Sequence, residues 1–314
     1  MDLLTELPTI ALDLILKNVD WKDIISLRKV NFTIRNYMED VVPTANLTSI
    51  SITVASDNIS CEFSDTKVEY RKHLDGCLVV CSKIPLILRN LDFVTACRAD
   101  LAVIFRHSRI EELNLYFTYF TDEMFSVKDE NLDPIIDRFL WNFNDIKVTT
   151  LHIESLGAEH VLRILPHLEP KTLETLRIWY QKYHYRRREE IPGFETDEIV
   201  ELDQWKQAKT LSLRPYRLNC GLMHFGHVSG GFIYVDRVNP KDLFYLKENF
   251  IKNPEFDYFH IEYDQFDNYN ELLSVFGPSD DRDDLQRAEW YYNDRKFRFV
   301  IENFNDISFH MVSR

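Results

Sequence analysis

The side chains of this 314-residue chain that could do chemistry are few. His73, Cys77 and Cys81 are spaced four residues apart, so on a helix they would share one face, and two thiolates with an imidazole are suitable zinc ligands. A fourth ligand at finger-like spacing is missing from the surrounding sequence, and cysteine is also common as a small buried residue. We therefore predict neither a metal site nor a cofactor.

Sequence motifs of nucleotide binding and hydrolysis are also missing. The chain matches neither GxxxxGK[ST] nor GxGxxG, and it contains no Gly-x-Ser-x-Gly elbow. Acid pairs such as Glu111–Glu112 are adjacent, which points their carboxylates in different directions and is typical of a solvated surface. The sequence therefore predicts no catalytic residues and a protein that is not an enzyme.

One segment combines aromatic and basic side chains at high density. Its candidate target-binding residues are Tyr183, Tyr185, Arg186, Arg187 and Arg188. Tyrosine and arginine are favoured at protein interfaces, and clustered arginines bind acidic or phosphorylated peptides. The alternative is an ordinary solvated loop.

The net charge and the amino-acid composition limit the classes of binding partner and the cellular compartment that we expect. Asp and Glu number 51 against 37 Lys and Arg, giving a net charge of −14, which disfavours nucleic acid and anionic membranes as partners. Five irregularly spaced cysteines favour a reducing compartment, and acids in the first twenty residues argue against a signal peptide. We expect a soluble cytoplasmic or nuclear protein with no nucleic-acid or membrane partner.

The first forty residues form a separate module in the sequence. Residues 5–43 predict three short helices, the first carrying an apolar stripe at Leu12, Ile15, Leu16 and Val19. A module of this size cannot bury its own stripe, so it must pack on the rest of the chain or on a partner. One reading is a helical cap on the following domain.

The other interpretation of this module comes from its resemblance to a known protein family. The string Leu7-Pro8, Leu12, Ile15-Leu16, Val19-Asp20, Asp23-Ile24, Leu27-Arg28, Val30 resembles the F-box, with Asn31 and Ile34 departing from its Cys and Trp. This resemblance implies binding to the Skp adaptor of cullin–RING ubiquitin ligases and, through it, to the cullin. The implied adaptor-binding residues are Leu7, Pro8, Leu12, Ile15, Leu16, Ile24, Leu27 and Val30.

After this module in the sequence, a short motif that ends in Leu-x-Leu or a similar apolar pair recurs, and we call each copy a Leu-x-Leu phrase. It lies at residues 47–52, 110–115, 148–153, 173–178 and 208–213, and its alternation predicts strands separated by helix-period segments. The fold class predicted is α/β: an N-terminal three-helix F-box (5–43) followed over 44–314 by an irregular leucine-rich-repeat-like strand–helix solenoid. A general two-layer α/β domain is the alternative.

A second resemblance lies in this half. The Gln204-Trp205-Lys206-x-Ala208 phrase and the stretch from His224-Phe225 to Phe250 are similar to the FTH domain of nematode F-box family A proteins, over about 85–275. FTH domains are regarded as interaction domains. The two resemblances together imply the substrate-recognition subunit of a Skp–cullin–F-box ubiquitin ligase, with an unidentified protein as its substrate. A non-degradative interaction or inhibitory module using the same surfaces is the alternative.

Overall fold

A computed structural model describes residues 8–16, 37, 46–63, 66–81, 84–118, 129–180, 191–279, 281–283, 287–292, 296–302 and 305–312. Its α-helices are α1 (Thr9–Leu16), α2 (Phe93–His107), α3 (Leu132–Leu140), α4 (Ala158–Ile164), α5 (Asp203–Gln207), α6 (Pro240–Lys252) and α7 (Leu272–Phe276). Short 3-10 turns occupy Leu165–His167, Pro170–Thr172, Ile199–Glu201, Leu222–Phe225 and Tyr269–Glu271.

The strands run along most of the described chain. They are β1 (Asn46–Val54), β2 (Asn58–Phe63), β3 (Thr66–His73), β4 (Gly76–Cys81), β5 (Ile84–Arg89), β6 (Arg109–Phe117), β7 (Lys147–Ser155), β8 (Thr175–Tyr180), β9 (Gly193–Phe194), β10 (Thr210–Leu218), β11 (Gly230–Val238), β12 (Tyr258–Phe266), β13 (Asp281–Asp283), β14 (Arg287–Tyr292), β15 (Phe297–Glu302) and β16 (Asp306–Met311). The chain divides into two compact units, residues 1–149 with 167–169, and residues 150–166 with 170–314.

The first unit is a mixed sheet with the strand order β6-β1-β2-β3-β4-β5. Only β1 and β6 pair in parallel, and the other neighbours are antiparallel. Helix α2 packs on β2, β3 and β4, and its N-cap Asp92 accepts hydrogen bonds from the Val94 and Thr95 amides. Under this helix the Tyr70 hydroxyl donates to the Asp100 carboxylate over 2.7 Å, and burial raises the pKa of Tyr70.

Strand β5 pairs only with β4 among the described residues and exposes apolar side chains, with Ile84 73% and Leu86 47% exposed. The Asn90 amide donates to the Asp75 carbonyl over 3.0 Å, which fixes the alternation of bonded pairs along this antiparallel ladder. Counting back by that alternation, Pro85 falls on a non-hydrogen-bonded pair. Its missing N–H is therefore on the outer edge, where it leaves the ladder intact and gives an incoming strand one donor fewer.

The second unit is a mixed sheet with the order β7-β8-β10-β11-β12-β16-β15-β14-β13. Strands β7 to β12 pair in parallel, and the strands beyond β12 are antiparallel. The helical segments pack against one face: Phe250 of α6 contacts Phe259 and Phe309, and Phe276 of α7 stacks on Phe299. This aromatic layer is the centre of the unit's core.

Strand β10 changes neighbours part-way along. Its first half pairs with β8 as far as Arg214, and its second half pairs with β9 from Arg217 onward. Its register against β11 shifts between the same two residues. Pro215, which has no N–H to donate, lies at this change, and the Tyr216 hydroxyl anchors the segment by donating to the Ser155 carbonyl over 2.7 Å.

The predicted fold class was wrong. The described chain is dominated by mixed sheets, with helices of 5–15 residues, rather than by a three-helix F-box and a strand–helix solenoid. Strands β2 to β5 are four successive antiparallel strands with no helix among their described residues, and β13 to β16 are likewise paired consecutively and antiparallel. A solenoid needs a returning segment after every strand, and these hairpins have none.

Two further predictions concern the residues His73, Cys77 and Cys81 and the three helices of residues 5–43. His73 lies on β3, and Cys77 and Cys81 lie on β4, so these residues are on strands and not on one helix. Of the three helices predicted over residues 5–43, α1 is described, and 17–36 and 38–43 lie outside the described residues. None of the described helices combines the length and the apolar character needed to cross a bilayer.

Candidate interaction face

Four of the eight residues predicted to bind the adaptor are described: Pro8, Leu12, Ile15 and Leu16. They lie at the start of and along α1, whose Ile10 is 73% and Ile15 39% exposed, while Leu12 is half-buried. The Tyr37 hydroxyl donates to the Asp13 carboxylate over 2.7 Å, and its oxygen lies 3.0 Å from the Thr9 carbonyl oxygen. The other four, Leu7, Ile24, Leu27 and Val30, lie outside the described residues.

The predicted target-binding residues, Tyr183, Tyr185, Arg186, Arg187 and Arg188, also lie outside the described residues. In the sequence this segment lies between β8, which ends at Tyr180, and β9, which begins at Gly193. Their role stays a prediction.

The second unit offers a surface that these predictions did not include. Because neighbouring residues of a strand point to opposite faces, each strand that buries a Leu-x-Leu pair presents its alternate residues on the other face. The register aligns these residues in two rows across the sheet. The first row is His152, Arg177, Ser212, Phe232, His260 and Ser308, and its neighbour includes Glu154, Trp179, Arg214, Glu262 and Asp306. We call this surface the open face.

A three-part stack occupies the middle of the open face. The Arg214 guanidinium lies 3.5 Å from the centroid of the Phe232 ring, and the His260 ring stacks on Phe232 at 5.0 Å with 13° between the planes. Phe232 is therefore covered, whereas Arg214 is exposed. A cation over an aromatic face is attractive, and the stack holds a charged group in place above the sheet.

Toward β7 the open face carries a second aromatic pair. The His152 and Trp179 rings are 5.3 Å apart, and Arg177 beside them is exposed. Glu154, in the next row, is half-buried, and its pKa is raised because burial disfavours the charged carboxylate. Aromatic and arginine side chains on a firm sheet are the composition that protein interfaces favour at their energetic centres.

Toward the far edge the face becomes acidic. Glu262, Asp306 and Glu302 lie opposite one another on three neighbouring strands. The next strand carries Glu289, which is buried and accepts hydrogen bonds from Arg298 over 2.6 and 3.2 Å. These guanidinium bonds hold the pKa of Glu289 below its ordinary value.

We expect Glu289→Gln to lower the free energy of unfolding by about 1–2 kcal/mol at pH 7, because charge-assisted bonds are lost inside the sheet. Since the folded pKa is the lower one, this contribution is present above the unfolded carboxyl pKa of about 4.3 and is lost as the pH falls through the folded pKa. Urea titrations at pH 7 and pH 3.5 measure both effects. Glu255→Gln, which removes the exposed pair with Lys209, is the control and should leave the urea midpoint nearly unchanged at both pH values. A cost that persists unchanged at pH 3.5 would contradict this explanation.

Comparison with known proteins adds one match. Residues 130–279 match the family model of the FTH domain. This segment is similar to the FTH domain. No curated protein matches the chain. The FTH domain is an F-box-associated family, which suggests an adaptor role related to ubiquitin ligases, and it is not a known class of enzyme.

The FTH-like segment contains most of the open face. It spans β7 to β12 and includes Trp179, Arg214, Phe232 and His260, whereas Asp306 lies beyond it on β16. The phrase around Trp205 lies on α5: the indole is 1% exposed and donates to the His224 carbonyl over 3.4 Å. Trp205 and Ala208 of that phrase are therefore part of the core of the FTH-like segment, whereas Lys206 is exposed.

Sequence reasoning missed the open face although a signal was present. The residues that alternate with the Leu-x-Leu pairs include His152, Arg177, Trp179 and Arg214, which are large or charged. The order of the strands in the sheet could not be predicted, because the alternation of residues along a strand shows which of them share a face but not which strands are neighbours.

Proposed function

We propose that this chain is the substrate-recognition subunit of a Skp–cullin–F-box ubiquitin ligase. The observation that carries the proposal is the FTH match at residues 130–279, behind an F-box-like sequence at 5–43. The F-box-like sequence binds the Skp adaptor, which links it to the cullin, and the domain behind it binds the target protein. The chain itself does no chemistry: it raises the effective concentration of a target lysine near the loaded enzyme.

The adaptor side of the proposal is supported by α1. Its apolar side chains are exposed at Ile10, Leu14 and Ile15, which is the arrangement expected of a helix that a partner covers. The hydrogen bond from the Tyr37 hydroxyl to Asp13 joins Tyr37, which lies later in the same module, to this helix. The helix therefore keeps its form while its apolar side chains stay accessible.

The target side is supported by the open face. It combines exposed arginines with partly covered aromatic rings on a sheet whose opposite face is a packed core, so these groups lose little conformational freedom on binding. The residues Tyr183, Tyr185 and Arg186–Arg188, which follow β8 in the sequence, belong to the same proposal as a further contact region.

Adaptor binding is the first test. We expect Leu16→Asp, or Leu7→Ala with Pro8→Ala, to weaken co-purification with a cognate Skp adaptor at least tenfold, because a charge or a truncation replaces apolar contact. Leu74→Asp is the matched control, since Leu74 is fully exposed on a turn far along the sequence, and it should bind as wild type. Quantitative pull-down of the full chain gives the affinities. A wild-type chain that binds no cognate adaptor would refute the proposal.

Target recognition is the second test. Proteins captured by wild-type chain in cells should be ubiquitylated in a reconstituted ligase and accumulate when Leu16→Asp replaces the wild type. Phe232→Ala should lose target capture while keeping adaptor binding. Capture without ubiquitylation would instead support the non-degradative alternative.

A further inference from the structure

Two carboxylates on the open face are placed directly against each other. Glu262 of β12 and Asp306 of β16 are register partners in an antiparallel pair, where side chains are about 5 Å apart and like charges are destabilising. In the part of the chain that the structure describes, neither carboxylate forms an ion pair with lysine or arginine. Glu302 continues the row on the next strand, and there Arg287 pairs with it.

An imidazole completes this group. His260 is two residues before Glu262 on the same face of β12, and its Nε2 lies 3.4 Å from the Asp306 carboxylate. One ligand atom from each of the three residues lies within 4.8 Å of the others. The stack of His260 on Phe232 fixes the plane of the imidazole, which reduces the freedom that binding would remove.

We propose that His260, Glu262 and Asp306 bind a divalent transition-metal ion of the zinc class. One imidazole nitrogen and two carboxylate oxygens are ligands that Zn²⁺ accepts, and the charge of the ion offsets the two opposed carboxylates. The three ligands come from two paired strands, so the sheet itself sets their spacing. This inference is independent of the ligase role and stands or falls separately from it.

The site leaves one coordination position open toward solvent. His260 and Asp306 are each about one-third exposed, and the protein supplies three ligands where zinc prefers four. A water molecule, or a histidine or carboxylate of a bound protein, completes the shell. The metal would then lie beside the Arg214–Phe232–His260 stack and enlarge the surface available for recognition.

Calorimetric titration of ZnCl₂ into the full chain, freed of metal by chelation, is the test. We expect a binding event of one ion per chain that is weakened at least tenfold in each of Glu262→Gln, Asp306→Asn and His260→Ala. His152→Ala is the matched control, because His152 is a histidine on the same face that contacts Trp179 and lies on β7, four strands away from His260 on β12, and it should bind zinc as wild type. Mg²⁺ at the same concentration should not replace Zn²⁺, since magnesium has little preference for imidazole.

Thermal unfolding separates a metal site from a structural ion pair. Without metal, Glu262→Gln should raise the melting temperature by about 1–3 °C because one of two opposed charges is removed. With excess Zn²⁺ the wild type should gain about 5 °C and Glu262→Gln should gain less than about 1 °C. The proposal is overturned if the three variants bind zinc as wild type does. It is equally overturned if Glu262→Gln lowers the metal-free melting temperature and zinc adds nothing to the wild type.

Discussion

Gly231→Ala is expected to weaken the pairing of β10 with β11 and thereby strongly destabilise the second unit. A Cβ at residue 231 would lie 2.1 Å from the Leu211 carbonyl oxygen of the neighbouring strand, and the Phe259 ring is 3.1 Å away. Strand backbones cannot separate to admit a methyl group without breaking ladder bonds on both sides of β11. The expected loss is about 3 kcal/mol or more, which for most domains is a large part of their stability.

Urea unfolding followed by circular dichroism measures this loss. Gly157→Ala is the matched control: no atom lies within 4 Å of its added Cβ, and its backbone is extended, so its midpoint should move little. Equal midpoints for the two variants would show that the sheet tolerates a side chain at residue 231 and would contradict the close approach of the strands.

Trp205→Ala should have the second large effect. The indole is 1% exposed, packs edge-on against Phe225 at 5.5 Å and donates to the His224 carbonyl. Its removal leaves a cavity of indole size and an acceptor without its donor. We expect the free energy of unfolding to fall by about 3–5 kcal/mol.

Trp141→Ala provides the comparison for that variant. Trp141 is 63% exposed at the end of α3, and the loss of its ring should cost less than about 0.5 kcal/mol. Both variants are compared by the same urea titration. A small effect at Trp205 would contradict the assignment of its indole to the packed core.

Much of the secondary structure could be predicted from the sequence. Each Leu-x-Leu phrase lies on a strand, as at Leu113 on β6 and Leu211 on β10, and the apolar spacing between phrases locates α2 and α6. These predictions succeeded because alternation with period 2 and recurrence with period 3.6 are properties of neighbouring residues. The assembly failed because parallel and antiparallel pairing depend on residues far apart in the chain.

The segment from His73 to Cys81 shows why such failures occur. A spacing of four residues places side chains on one face of a helix, but it is also two full periods of a strand. The sequence alone therefore could not distinguish a helix from strands. In the structure a turn after His73 separates β3 from β4, and the two strands pair antiparallel. The open face escaped prediction for a related reason: Phe232 and His260 are 28 residues apart in the sequence and become neighbours only through the β11–β12 register.

The second sheet has consequences for how this chain can change. Its core and its open face are carried by the same strands at alternate residues, such as Leu213 inward and Arg214 outward. Substitutions at outward positions such as Arg214 alter the shape and charge of the open face while the hydrophobic layer is untouched. Under the proposed function, proteins built on this sheet would acquire new binding specificities by point substitution at little cost to folding, whereas a one-residue insertion in a strand would exchange the two sets and destroy both.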